Sequence, residues 1–345
     1  MKVLKCLIVL IGLCGMIFLS CWERQDEKIT APETPKYDIS GRVVSSLTNE
    51  PLSQVKVILT GRVKYNDQEE AVNFIIEQVT AENGTFILQD VPGGFPYSLI
   101  LENDGYKTEA NDLIMSYMDR DIGDRVIEKL LVLEKEAFFD SRVITGIAFK
   151  QGSLWIADAL NEKIIELDDD LNKKREIAFL TYKLSGLAYD GEWFWTSDPD
   201  KNIVYQFQII DEWDHIKLGD IYPSPKNYYN PDKIVDLLDI SCFNSEVWAC
   251  TDQISTKYFR LNLNEAGTAD YFESPIYHPT GIYVDSNKVY IVSQYGGESK
   301  LYLIDKETNT TIGYYVFLEN AGLITSDGNY FLIANENSVR KYFIN

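Results

Sequence analysis

Thr145-Gly146-Ile147-Ala148-Phe149, a short turn and Leu154-Trp155-Ile156-Ala157-Asp158 form the two-part phrase that decides the fold of this chain. Each part is an apolar run of strand length, so the phrase predicts a β-hairpin. The phrase recurs four more times toward the C-terminus, in segments that begin at Ser185, Leu238, Thr280 and Ala321. An internal repeat of this kind predicts an array of similar supersecondary units.

Glycines near the start of each phrase give the period of the repeat. Gly146 and Gly186 are 40 residues apart, and Gly281 and Gly322 are 41 apart. Asp239 takes the glycine position in the third repeat, 42 residues before Gly281. The step from Gly186 to Asp239 is 53 residues, so the second repeat carries an insert. A period near 40 with several short strands is typical of β-propeller blades.

The last repeat predicts how the propeller closes. A third apolar segment follows each phrase, and the sequence stops after this segment of the fifth repeat. Residues 136–142, just before the first repeat, are predicted to supply the missing fourth strand, because that pairing closes the ring and removes its exposed edges. We predict an all-β protein whose residues 136–345 form a propeller of five blades, with six as the alternative count.

A second set of short strands, separated by turn residues, occupies residues 37–135. Its motifs include Ile39-Ser40-Gly41-Arg42-Val43, Glu82-Asn83-Gly84-Thr85-Phe86 and Asp90-Val91-Pro92-Gly93-Gly94. They resemble the carboxypeptidase regulatory-like domain. This resemblance implies a small Ig-like β-sandwich that serves as a spacer or binding module. A closing strand is predicted at 126–134.

The Gly-Ile-Ala-Phe and Leu-Trp-Ile-Ala-Asp phrases resemble the NHL and gluconolactonase-like propellers. The gluconolactonase-like enzymes hold one divalent metal in the central channel with a Glu, an Asn and an Asp. Asn320 and Asp239 lie near the matching positions, but no Glu precedes Gly146, so the resemblance implies an incomplete metal site. We therefore predict no catalytic residues, no metal ligands and no cofactor. A single divalent cation in the channel is the alternative.

Three residues near the predicted inner strands are candidates for binding at the channel mouth: Asp239, His278 and Asn320. A separate candidate is the aromatic insert of the second repeat, which suits either a loop for a protein or glycan partner or a loop packed over one face of the propeller. Its candidate contact residues are Trp213, Tyr228 and Tyr229.

Two sets of residues recur in the second strands of the repeats, one polar and one aromatic, and each set allows two interpretations. Polar residues at the end of each second strand suit either a cation-binding ring or caps for the following turn, and we favour the caps. They are Asp158, Asp198, Asp252, Ser293 and Asn335. Aromatic residues earlier in the same strands suit either ligand stacking or packing between blades, and we favour packing. They are Trp155, Trp195, Trp248 and Tyr290.

The N-terminus carries a targeting signal. Lys2 and Lys5 precede an apolar run that is too short for a confident membrane span, and the run ends in Ser20-Cys21. This pattern resembles a bacterial lipobox, which implies that residues 1–20 are removed and that Cys21 is lipidated. Residues 21–36 are then a flexible tether. A plain secretory signal and a retained anchor helix are the alternatives.

Composition limits the partners. The 345-residue chain has 32 basic and 53 acidic side chains, a formal charge of −21, which argues against nucleic-acid binding. The lipobox resemblance implies a lipid-anchored protein of the bacterial cell envelope, on the periplasmic or outer face of the outer membrane. The propeller is its binding module, and the membrane is a partner through the lipid. The alternative is a metal-dependent, lactonase-like hydrolase or lyase that acts in the channel.

Overall fold

The computed structural model describes residues 34–65, 70–115, 117–140, 142–179, 183–210, 215–226, 235–251, 257–265, 267–273, 276–295, 297–317 and 320–344. Every helix or strand assigned in these ranges is a β-strand. Within them, no helix is long and apolar enough to cross a membrane. Cys21 and most of the predicted tether lie outside the described residues.

The first seven strands form two sheets that pack face to face. One sheet contains β1 (Lys36–Ser45), β4 (Thr85–Pro92) and β7 (Arg120–Ile127). The other contains β2 (Lys56–Val63), β3 (Val72–Val79), β5 (Pro96–Glu102) and β6 (Glu109–Ile114). Alternate side chains such as Leu59, Leu88 and Leu99 are fully buried in one shared core. This arrangement confirms the predicted β-sandwich.

Five four-stranded antiparallel units follow, and each is a propeller blade. The first contains β10 (Ile144–Lys150), β11 (Ser153–Asp158), β12 (Lys163–Leu167) and β13 (Lys173–Ala178). The second contains β14 (Ser185–Tyr189), β15 (Phe194–Asp198), β16 (Ile203–Ile210) and β17 (His215–Pro223). The third contains β18 (Asp239–Phe243), β19 (Glu246–Cys250), β20 (Lys257–Leu261) and β21 (Ala269–Glu273). The fourth contains β22 (Pro279–Val284), β23 (Lys288–Tyr295), β24 (Glu298–Asp305) and β25 (Thr311–Phe317). The fifth contains β26 (Leu323–Ser326), β27 (Tyr330–Ala334), β28 (Ser338–Phe343) and, as its outer strand, β9 (Val132–Phe138).

The five blades close into a ring. Each inner strand, the first of its blade, contacts the inner strand of the next blade, and β26 contacts β10. A separate apolar core fills the space between each pair of neighbouring blades. Trp155, Trp195, Trp248 and Tyr290 each belong to one of these cores, which confirms that the repeated aromatic position packs between blades. The propeller prediction with five blades is confirmed.

The closing strand comes from before the first repeat, as predicted, but it lies a few residues earlier. β9 pairs antiparallel with β28, from Val132 opposite Phe343 to Phe138 opposite Ser338. The single strand predicted at 126–134 is wrong, because this segment contributes to three sheets. β7 ends at Ile127, β8 (Lys129–Leu130) pairs parallel to β25, and β9 then begins. The boundary between β8 and β9 falls within one apolar run, Leu130-Leu131-Val132-Leu133, so the sequence alone does not separate the two strands.

The insert of the second repeat is not a free loop over its whole length. Residues 215–223 form β17, which pairs antiparallel with β16 from one end to the other. Tyr222 of β17 stacks on Trp195 with ring centroids 5.7 Å apart. The prediction of an added loop is therefore wrong for this part, since β17 is the outer strand of its blade. The candidate contact residues of the insert lie outside the described residues: Trp213, Tyr228 and Tyr229.

The sandwich is joined to the fourth blade by backbone and side-chain contacts. The Tyr314 amide N–H donates to the Ser46 carbonyl oxygen at 3.1 Å, and β8 extends the sheet of this blade. Glu128 lies at the junction, with Lys300 Nζ at 2.6 Å and Lys107 Nζ at 3.1 Å from its carboxylate oxygens. Burial opposes ionisation of Glu128, but hydrogen bonds from Lys300 and Lys107 hold its pKa below the usual range.

We expect Glu128→Gln to lower the free energy of unfolding by about 1.5–3 kcal/mol at pH 7, the usual contribution of hydrogen bonds to a charged group. Because the folded pKa of Glu128 is depressed, this contribution is present above its unfolded pKa of about 4.3 and is lost as the pH falls through the folded value. Urea denaturation at pH 7 and pH 3 measures the difference. Glu77→Gln is the matched control, because its ion pair with Lys56 is half exposed. An equal loss of stability in both variants would contradict a stabilising role for Glu128 at the junction.

Candidate functional site

Asp239 occupies the centre of the ring. Its side chain is completely buried. Oδ1 accepts the amide N–H of Ile240 at 3.0 Å, and Oδ2 accepts those of Ile282 at 3.0 Å and Ile324 at 3.4 Å. The three donors belong to the inner strands of the third, fourth and fifth blades, so one carboxyl group joins three blades at the axis. Burial raises the pKa of Asp239 well above its usual range, although the three N–H donors oppose this shift.

The inner strands approach one another closely at this level. A Cβ atom on Gly146 or Gly186 would overlap the backbone of the next inner strand. Glycine is therefore required there by close approach of the backbones. Asp239 stands at the matching position of the third blade and directs its side chain to the axis instead. Asp239 was predicted at a channel mouth, whereas the structure buries its side chain between the inner strands.

A cavity of about 150 Å³ lies between the last residues of the inner strands. We call it the cup. Four blades contribute aromatic side chains to its wall: Phe149, Tyr189, Phe243 and Tyr283. The hydroxyl-bearing residues of the wall are Ser241, Thr325 and Ser326. Ser241 Oγ accepts the Val284 amide N–H at 2.9 Å, and Ser326 Oγ donates to the Tyr330 carbonyl oxygen at 2.8 Å. The cup was not predicted from the sequence, because its aromatic residues do not occupy one repeat position.

His278 and Asn320 lie at the opposite end of the inner strands from the cup, because each precedes the strand of its blade. His278 is exposed, and its imidazole packs on the Tyr295 ring with centroids 5.9 Å apart. Asn320 is exposed, and its carbonyl oxygen accepts from Arg340 at 3.2 Å. Asp239 is buried between the strands, so these three candidates do not share one surface.

A metal ion does not fit the Asp239 site. Both carboxylate oxygens already accept amide N–H groups, whose positive ends point at the position that a cation would take. Among the described residues, no group of three or more His, Cys, Asp or Glu side chains is arranged to hold a metal ion. The incomplete Glu-Asn-Asp set implied by the lactonase-like resemblance is therefore not assembled around Asp239.

Three of the five polar residues at the strand ends cap turns, as predicted. Asp158 Oδ1 accepts the Asn161 amide N–H at 3.1 Å, and Asp198 Oδ1 accepts that of Lys201 at 3.1 Å. Asn335 Oδ1 accepts the Ser338 amide N–H at 2.8 Å. Ser293 differs, since its hydroxyl donates to the Tyr277 carbonyl oxygen. Asp252 lies outside the described residues.

The two cysteines of the third blade do not form a disulfide with each other. Cys242 pairs with Val247 and Cys250 pairs with Asp239 across the β18–β19 hairpin. Cys242 belongs to the wall of the cup, and burial raises the pKa of its thiol well above the usual range. A raised pKa keeps the thiol protonated and therefore less nucleophilic.

Carboxylates in the hairpins beside the cup form a second repeated feature. Asp190 Oδ1 accepts two amide N–H groups of its own turn, and Oδ2 accepts the Trp195 indole N–H at 2.7 Å. Asp285 does the same, with the Tyr290 hydroxyl as the side-chain donor at 2.9 Å. This pairing was not predicted, although an Asp five residues before an aromatic residue recurs in both repeats.

Comparisons with known proteins add a fold likeness only. No protein-family model matches the sequence, and no curated protein matches it. A glutaminyl cyclase from Myxococcus xanthus is similar over 63% of this chain and 98% of that chain, with 11% identity and a TM-score of 0.47. A PQQ-bound aldose sugar dehydrogenase from Streptomyces coelicolor is similar over 62% and 97%, with 10% identity and a TM-score of 0.45. A putative glucose dehydrogenase from Thermus thermophilus is similar over 62% and 100%, with 10% identity and a TM-score of 0.37. These values carry no argument about activity.

We expect the stability of the protein, measured relative to its Asp239→Asn variant, to fall as the pH rises above about 4. The folded pKa of Asp239 is raised above its unfolded value of about 3.9, so the folded state binds more protons in this range. The slope is at most about 1.4 kcal/mol per pH unit. Urea denaturation of both proteins from pH 4 to pH 8 measures it. If the stability of the protein relative to Asp239→Asn rose with pH, the raised pKa of Asp239 would be contradicted.

Proposed function

We propose that this protein is a lipid-anchored component of the bacterial cell envelope and that its propeller binds a partner through the cup. The anchor is supported by the apolar segment that ends in Ser20-Cys21. The sandwich would act as a spacer between the membrane and the propeller. Its junction with the fourth blade supports this role, because a spacer in firm contact fixes the direction in which the propeller faces.

The proposed binding role rests mainly on the closed centre of the ring. Asp239 fills the axis, so the cup is a blind depression rather than a through-channel. Its volume of about 150 Å³ is below the ~300 Å³ typical of sites that enclose a small molecule. A cup of this size suits one anchoring group of a larger partner. Aromatic walls are common where such anchors bind in protein and glycan interfaces.

The anchor has a direct test. We expect Cys21→Ala to move the protein from the membrane fraction to the soluble fraction, because the thiol is the point of acylation. Fractionation in high salt and carbonate, followed by immunoblotting, measures the distribution. Ser20→Ala serves as the control, because it changes the neighbouring side chain, keeps a small residue before Cys21 and keeps the thiol. Membrane retention of Cys21→Ala would contradict lipidation.

The cup has a separate test in intact envelopes. A photo-crosslinking phenylalanine analogue at Phe149 should give a discrete covalent adduct with a partner, because this ring lines the cup. The same analogue at Ile87, which is 52% exposed on the sandwich, is the matched control. Gel shift and mass spectrometry identify the adducts.

Equal adducts at both positions, or none at Phe149, would contradict a binding role for the cup.

Metal analysis of the purified mature protein tests the rival activity. One tightly bound divalent ion per chain would favour the metal-dependent hydrolase or lyase instead.

A further inference from the structure

The first blade breaks the hairpin pattern of its neighbours. In the second, third and fourth blades, the buried aromatic residue donates to a carboxylate of its own hairpin. The donor and acceptor pairs are Trp195 with Asp190, Trp248 with Glu246, and Tyr290 with Asp285. In the first blade the donor is Trp155, and the position that matches Asp190 is Lys150. The substitution replaces an acceptor with a cation.

The Trp155 indole N–H is consequently left without a hydrogen-bond partner among the described residues. Trp155 is only 2% exposed. Burial of an unpaired N–H is costly, and such groups are rare in folded proteins. In the second blade, the equivalent N–H has a carboxylate oxygen at 2.7 Å. The repeat thus indicates which chemical group is missing from the first blade.

The surroundings of Trp155 are positively charged, in contrast to the acidic chain as a whole. Lys150 Nζ lies 5.8 Å and Arg175 Cζ lies 5.2 Å from the Trp155 ring centroid. Glu166 pairs with Trp155 across the strands, but it is engaged elsewhere. Its oxygens contact Lys174 Nζ at 2.5 Å, Arg175 Nε at 2.7 Å and Ser153 Oγ at 2.7 Å.

Lys150 has no carboxylate within ion-pairing distance in the described part of the chain. Its contacts there are aromatic: Nζ lies 5.3 Å from both the Tyr189 and Phe194 ring centroids. The side chain is half-buried and long, so its ammonium group can move from these rings to pair with an incoming anion.

We propose that the first blade binds a small organic carboxylate between the Trp155 indole N–H and the Lys150 ammonium group. The ligand carboxylate takes the place that the Asp190 side chain fills in the second blade. One oxygen accepts the indole N–H, and the pair of oxygens faces Lys150 in a charge-assisted contact. This site lies in the blade wall next to the cup, and it depends neither on the lipid anchor nor on binding in the cup.

The test follows the tryptophan indole N–H signals by NMR in the soluble mature protein with Cys21→Ala. Propionate is the probe, propionamide is its uncharged match, and sodium chloride at equal ionic strength controls for salt. The signal absent from Trp155→Phe identifies Trp155. We expect this signal to move downfield with propionate and not with propionamide, while the Trp195 signal stays in place.

Two variants of one residue separate binding from structure. Lys150→Ala should weaken the response about tenfold, because it removes the cation. Lys150→Asp should abolish the response and raise the melting temperature, because it supplies the internal carboxylate of the second blade. A Trp155 signal that moves equally with propionamide or chloride, or a response that survives Lys150→Asp, would overturn the proposal. An unmoved Trp155 signal at saturating propionate would also overturn it.

Discussion

The structure depends on how the buried backbone N–H groups of the inner strands find hydrogen-bond acceptors at the axis of the propeller. Each inner strand pairs with its blade on one side only, so its other edge faces the axis. Buried N–H groups need partners, and a narrow ring has little room for water. Asp239 supplies one compact acceptor that reaches the inner strands of three blades. The same carboxyl group therefore satisfies the backbone and holds the blades in a ring.

This solution has a consequence for function. The group at the axis is committed to amide N–H donors, and it is removed from both solvent and metal chemistry. The cup lies at the opposite end of the inner strands from His278 and Asn320. Function in this propeller is therefore expected at the ends of the hairpins. There the aromatic residues differ between blades, whereas the strand ends on the other side are largely occupied by turn caps.

The repeat predicted most of the fold, because glycine spacing and apolar periodicity are local properties of the sequence. β17 was missed because none of its residues is fully buried, and the three partly buried ones (Ile216, Gly219 and Tyr222) are three positions apart instead of alternating with exposed ones. The start of β9 was misplaced because one short stretch of sequence contributes strands to the sandwich, the fourth blade and the fifth blade in turn. The position of Asp239 was predictable from its place in the repeat. Its three partners were not, since they come from residues up to 85 positions apart that only ring closure brings together.

The repeated architecture also provides an internal standard for each site. Blades with the same backbone have the same hydrogen-bonding needs, so a residue that departs from the pattern must leave some group unpaired or supply another partner. Asp239 departs from glycine and supplies a partner for three strands. Lys150 departs from the hairpin carboxylate and leaves the Trp155 N–H without a partner among the described residues, beside positive charge. The first departure explains how the ring is held together, and the second explains why an anion is the ligand class that the first blade lacks.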